Sequence, residues 1–162
     1  MPEHRKRHSQ RKRNRVEKGR TPQKPRIALI GFRGVGKSAI ARRLAEKWQM
    51  PLLSLDEKIE KEEGRRIDQI VVEHGWQYFR DKEANALEEA SKSEKLLLDC
   101  GGGIVEEADG TKSERKIKLL QENFFCIYLF LSEEKLLSRL KNLSHNASRP
   151  QLSSADSPEK LL

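Results

Sequence analysis

The sequence predicts an α/β fold of the P-loop NTPase type: three layers, α/β/α, built on a parallel sheet. Three observations predict it. Short apolar runs alternate with longer segments of helical period through residues 27–162, as strand–helix–strand units require. The first run leads into a glycine-rich loop, and a helical pattern follows that loop directly. The longest apolar run, Phe124 to Leu131, holds eight residues, which suits a buried strand and falls far short of the roughly 20 that span a membrane.

The first element is a strand. Pro22 and Pro25 close a polar tail, and Arg26-Ile27-Ala28-Leu29-Ile30 opens the domain. Gly31-Phe32-Arg33-Gly34-Val35-Gly36-Lys37-Ser38 follows, which is G-x-x-x-x-G-K-S with a strand before it and a helix after it. In that context the loop cradles phosphates on successive backbone N–H groups and on the helix N-terminus. Gly34, Val35, Gly36, Lys37, Ser38 and Ala39 are its candidate ATP-binding residues. Lys37 reaches the β- and γ-phosphates, and the Ser38 hydroxyl ligates Mg²⁺. The helix Lys37 to Gln49 carries Ile40, Ala41, Leu44, Ala45 and Trp48 on one stripe.

Pro51 to Leu55 reads as a second strand. Residues 57–63, 67–74 and 76–93 read as helices separated by Gly64 and Gly75. Lys95 to Cys100 is a third strand, ending in Gly101-Gly102-Gly103. A helix around Ser113 to Glu122 precedes the fourth strand, Phe124 to Leu131. Ser132-Glu133-Glu134-Lys135 starts a helix reaching about Leu143. A polar stretch, residues 144–157, lacks apolar periodicity and is the candidate lid.

The charge divides unevenly. The net charge is +8, yet residues 1–26 carry +9 and residues 27–162 carry −1. The domain's own chemistry therefore need not involve nucleic acid. The tail, with Arg5-Lys6-Arg7 and Arg11-Lys12-Arg13, has Val16 as almost its sole bulky apolar residue and is expected to be disordered. It reads either as an electrostatic arm for RNA or acidic partners, or as a solvated extension. It has neither the apolar core of a secretory signal nor the amphipathic face of a transit peptide. Cys100 and Cys126 lie far apart in apolar segments, which fits a reducing, cytoplasmic setting.

Residues just past the strands face the ligand crevice of such sheets. Asp56 follows the second strand, where a carboxylate can orient a hydroxyl attacking a γ-phosphate and accept its proton. A helix N-cap is an equally good use of an Asp there. Asp99 follows Leu96-Leu97-Leu98, the place of a carboxylate that holds Mg²⁺ through water. Arg80 suits a bidentate grip on a carboxylate, although its spacing also allows a surface ion pair with Glu83 or Glu88.

Together, Asp56-x-x-Ile59-Glu60, Gly64-x-x-Ile67-x-x-Ile70, Gly75-x-x-x-Phe79-Arg80-x-x-Glu83 and the Gly101-Gly102-Gly103 triplet resemble shikimate kinase in order and spacing. The resemblance covers residues 27–160 and implies strand order 2-3-1-4-5, a mobile lid and ATP-dependent phosphorylation of shikimate, with Mg²⁺. It assigns Asp56 to the attacked hydroxyl, Arg80 to the shikimate carboxylate and Gly102 to a backbone contact with the substrate. Arg149, before Pro150 and Leu152, matches the lid arginine that reaches over the ATP phosphates. Asp56, Lys37 and Arg149 are thus the expected catalytic residues, and Ser38 and Asp99 the metal-binding ones. A monomer is expected.

Four positions depart from the family pattern. Ser54 stands where a second Asp is common, and Asp99 where a small residue is usual, which moves the metal-supporting carboxylate from strand two to strand three. Trp76 replaces an acidic residue, and Ala39 a second hydroxyl. The pattern also continues past Leu162 with a second carboxylate-binding Arg, a fifth strand and an adenine loop, so a C-terminally incomplete domain is expected. A nucleotide-binding domain without turnover and a related kinase, such as a gluconate kinase, are the alternatives.

Overall fold

The computed structural model describes residues 25–146. Residues 1–24 of the basic tail, Arg149 and all but the first three positions of the candidate lid lie outside them.

Four strands, β1 (Arg26–Gly31), β2 (Leu52–Ser54), β3 (Leu96–Asp99) and β4 (Phe125–Leu129), form a wholly parallel sheet in the order β2-β3-β1-β4. Among the described residues five helices connect or follow them: α1 (Lys37–Trp48), α2 (Leu55–Glu63), α3 (Ile67–Ser91), α4 (Glu114–Asn123) and α5 (Glu133–Asn146). The period-two alternation of strands divides the core between the two faces. Ala28, Leu96 and Leu98 join Leu55, Ile59, Ile70, Phe79 and Leu87 beneath α2 and α3. Leu29 and Leu97 turn the other way and meet Ala41 and Met50. A fully buried parallel strand must be apolar on both faces, which is why Leu96-Leu97-Leu98 shows no alternation.

Several boundaries differ from the sequence-based expectation. Arg26, counted above with the tail, is the first residue of β1. Its guanidinium donates to the carbonyls of Asn123, Ser91 and Ser93 at 2.9, 2.7 and 3.1 Å. The second strand shrinks to three residues because Leu55 already belongs to α2. Two expected helices join into α3 across a kink at Gly75, whose φ of 81° and ψ of 171° a side chain would oppose. The last helix runs on to Asn146 instead of ending near Leu143.

Two apolar expectations fail. On α1 the stripe narrows to Ala41, Leu44 and Ala45; Ile40 and Trp48 are exposed. Ile40 stands about 100° around the helix from Ala41, and Trp48 lies in the final turn. The eight-residue run is not a buried strand either. β4 is an edge, and Phe125, Tyr128 and Phe130 are 70, 64 and 75% exposed among the described residues. No helix among these residues is long and apolar enough to cross a membrane.

Candidate active site

The phosphate loop joins β1 to α1 as its motif requires. The Val35 amide donates to the Phe32 carbonyl at 3.3 Å, closing a turn. Gly36 caps α1 with φ of 99°, a left-handed backbone that β-carbon sterics disfavour. The Lys37 side chain folds back over the loop and donates to the carbonyls of Gly31 (2.8 Å) and Phe32 (3.1 Å). Burial pushes its pKa down, and the carboxylates of Asp99 and Asp56 pull it back up. From α5, Arg139 donates to the Val35 carbonyl at 3.1 Å, while Leu140 lies against Gly34.

Asp99 ends β3 and is buried. Burial raises its pKa, opposed first by a hydrogen bond from Ser38 and then by the charge of Lys37. Its Oδ1 finds no hydrogen-bond partner among the described residues. In the sheet, Asp99 is the register partner of Ser54 on β2, so the acidic position and the serine standing at the departure are lateral neighbours. Ser54 itself is the N-cap of α2, with its Oγ accepting from the Glu57 amide at 3.3 Å. That corrects the capping reading of Asp56, which sits in the first turn instead. Its carboxylate lies beside Gly101, with Oδ1 3.0 Å from where a Cβ on that glycine would stand.

Arg80 is not on the surface. It is 9% exposed, with Nη1 bound to Glu83 Oε2 at 3.1 Å and donating to the Gly103 carbonyl at 3.0 Å. Nη2 stands 3.4 Å from Glu106 Oε2, and Nε is buried without a partner among the described residues. Its guanidinium carbon lies 5.4 Å from the Trp76 ring and 5.6 Å from that of Phe79, within cation–π range. Glu88, the other partner considered, pairs with Arg115 instead.

The triplet after β3 gathers these parts, because each glycine is filled by a different neighbour. A Cβ on Gly101 would stand 3.0 Å from both Asp56 Oδ1 and Glu83 Oε1; on Gly102, 3.0 Å from the Arg33 amide; on Gly103, 2.6 Å from Arg80 Nη2. Asp56, the phosphate loop and Arg80 therefore converge on three consecutive residues. The missing side chains make room for the protein's own groups.

Comparison with known proteins identifies the fold that carries this arrangement. The family model for shikimate kinase matches residues 33–162. The chain belongs to the shikimate kinase family. It is 40% identical over 139 residues to the shikimate kinase of Dehalococcoides mccartyi, covering 86% of this chain and 73% of that protein. Against the shikimate kinase of Caldicellulosiruptor bescii the identity is 36% over 130 residues, with 80 and 70% coverage. Among solved structures, Acinetobacter baumannii shikimate kinase in complex with shikimate superposes with a TM-score of 0.70 at 27% identity, over 85% of this chain and 72% of that one. The Aquifex aeolicus shikimate kinase gives 0.64 at 29%, over 74 and 76%.

Membership accounts for the strand order β2-β3-β1-β4. Arg149 falls within the family match but lies outside the described residues. Residue-by-residue reading missed the deepest part of the site. Glu83 was considered as a surface partner, yet it is buried. Lys116 was not singled out. Its one signal was a lysine on the stripe of α4 where Ser113 and Leu120 are also buried.

Proposed function

We infer that this chain transfers the γ-phosphoryl group of ATP to the 3-hydroxyl of shikimate, giving shikimate 3-phosphate on the route to chorismate and the aromatic amino acids. One observation carries the reading: a phosphate loop and a buried arginine meet on a single glycine triplet, in a chain of the shikimate kinase family.

In the mechanism, the loop amides from Gly34 to Ala39 bind the nucleotide phosphates. Lys37 swings its ammonium from the Gly31 and Phe32 carbonyls to the transferring group, stabilising the charge that develops there. Arg80 grips the shikimate carboxylate, for which its unpartnered Nε offers a further donor. The Gly102 backbone lies along the ring. Asp56 orients the 3-hydroxyl and accepts its proton as the oxygen attacks the γ-phosphorus and the bond to the ADP oxygen breaks. Arg149, from its Arg-Pro-x-Leu motif, covers the phosphates.

Magnesium fits the residues present. A buried carboxylate oxygen without a partner, beside a serine hydroxyl, suits a hydrated hard cation. No group of three or more His, Cys, Asp or Glu that could hold a metal exists among the described residues, and phosphate and water oxygens would supply the other ligands. Ser38 and Asp99 would hold the ion, which when bound neutralises charge on the β- and γ-phosphates. Because Asp99 neighbours Ser54 in register, a carboxylate on β3 serves the same corner as one on β2. We further propose a cytoplasmic monomer whose contact with nucleic acid, if made, runs through residues 1–26.

Shikimate-dependent ADP release, with the product's phosphorylated oxygen located by NMR, tests the reading. Phosphorylation of gluconate in preference to shikimate, or nucleotide binding without transfer, would overturn it.

A further inference from the structure

The mechanism leaves two buried charges unused. Glu83 and Lys116 are each 1% exposed, a burial such side chains tolerate when paired. Lys116 Nζ stands 2.8 Å from Glu83 Oε2 and donates to the Glu106 carbonyl at 2.5 Å. The same Glu83 oxygen is 3.1 Å from Arg80 Nη1. One carboxylate oxygen thus serves two cations.

The charge balance of this cluster decides what the site will accept. Glu83 alone would neutralise Arg80, and Asp56, which flanks Gly101 together with Glu83, adds a second negative charge. A pocket so balanced repels a carboxylate, and burial strengthens the repulsion. Lys116 cancels that negative excess by occupying Glu83. The positive charge that remains on Arg80 is met in this structure by Glu106, 3.4 Å from Nη2. Glu106 is half exposed, so it can swing into water when another carboxylate arrives. Glu83 has no such exit.

We propose that Lys116 determines the affinity of this site for an anionic substrate: bound to Glu83, it leaves Arg80 a positive charge that Glu106 covers until the substrate carboxylate replaces it. Lys116 is a positioning residue acting through Glu83, and the proposal rests on the reading of Arg80 above.

The test compares shikimate with its uncharged carboxamide analogue by calorimetry in the full chain. Wild type prefers the carboxylate by about tenfold or more, the yield of one charge-assisted contact. Lys116→Met loses most of that preference while its affinity for the carboxamide and for ATP holds. The double variant Lys116→Met/Glu83→Gln regains it, because both buried charges leave together. Loss of affinity for both ligands alike in Lys116→Met, or a double variant as poor as the single, would overturn the proposal. If Lys116→Met does not fold, the ranking decides: Glu83→Gln must exceed wild type in carboxylate preference and the double variant must equal it. Any other order overturns the proposal. Failure of the underlying reading looks different, since wild type and Arg80→Met would then share the same preference.

Discussion

Arg80 lies along the backbone of Gly103: Nη1 donates to its carbonyl at 3.0 Å, and a Cβ on Gly103 would stand 2.6 Å from Nη2. No room remains for even a methyl group unless the guanidinium moves. Its obstacles, Arg80 and the end of Glu106, are flexible side-chain tips, so yielding costs little stability. Gly103→Ala is therefore expected to raise the KM for shikimate by about tenfold or more, as a charge-assisted contact is lost. The KM for ATP and the melting temperature should stay near wild type. Steady-state kinetics with each substrate varied in turn, beside a thermal melt, checks this.

Lys37→Met keeps the aliphatic stem and removes the ammonium. Since burial already pushes the pKa of this group down, the folded state holds the charge against a desolvation cost, and the fold should survive its loss. Turnover should fall by about 10²–10³-fold, the effect of removing one preorganised donor to developing charge. Nucleotide titration and circular dichroism of the variant test both halves. A folded variant with full activity would remove Lys37 from the mechanism.

Asp56→Asn retains the shape of the side chain and its place in the first turn of α2, while Ser54 continues to cap the helix. The amide cannot accept the hydroxyl proton. We expect kcat to fall by about 10²–10⁴-fold with ATP affinity unchanged. Collapse of ATP binding with normal residual chemistry would make Asp56 a nucleotide-site residue instead.

Asp99→Asn separates stability from function. Burial raises the Asp99 pKa above its ordinary value of 3.8, so ionisation opposes folding at neutral pH. That opposition fades as pH falls through the raised folded-state pKa and is gone below the unfolded one. The variant should melt no lower than wild type at pH 7, and wild type should gain on it as the solution is acidified. The Mg²⁺ concentration needed for half-maximal rate should nonetheless rise. Melts across pH and a Mg²⁺ titration of the rate read the two effects, and an unchanged Mg²⁺ requirement would take Asp99 out of the metal site.

The sequence by itself determined the phosphate loop, the alternation of strands and helices, and the glycine triplet after the third strand. These are local matters. Gly36 in a left-handed turn, a three-leucine strand and a kink at Gly75 each follow from covalent geometry and from nearest neighbours in the chain. Tertiary structure alone decided the electrostatics. The spacing of Arg80 and Glu83 is the same on a surface helix as on a buried one, and spacing favoured the surface. What buries them is α4, which brings Lys116 across 33 residues to Glu83. Likewise Ser54 and Asp99 are remote in sequence and adjacent in the sheet because β2 pairs with β3 in one register. The energy of a charge depends on the dielectric around it and on every partner within a few ångströms, and those are set by packing.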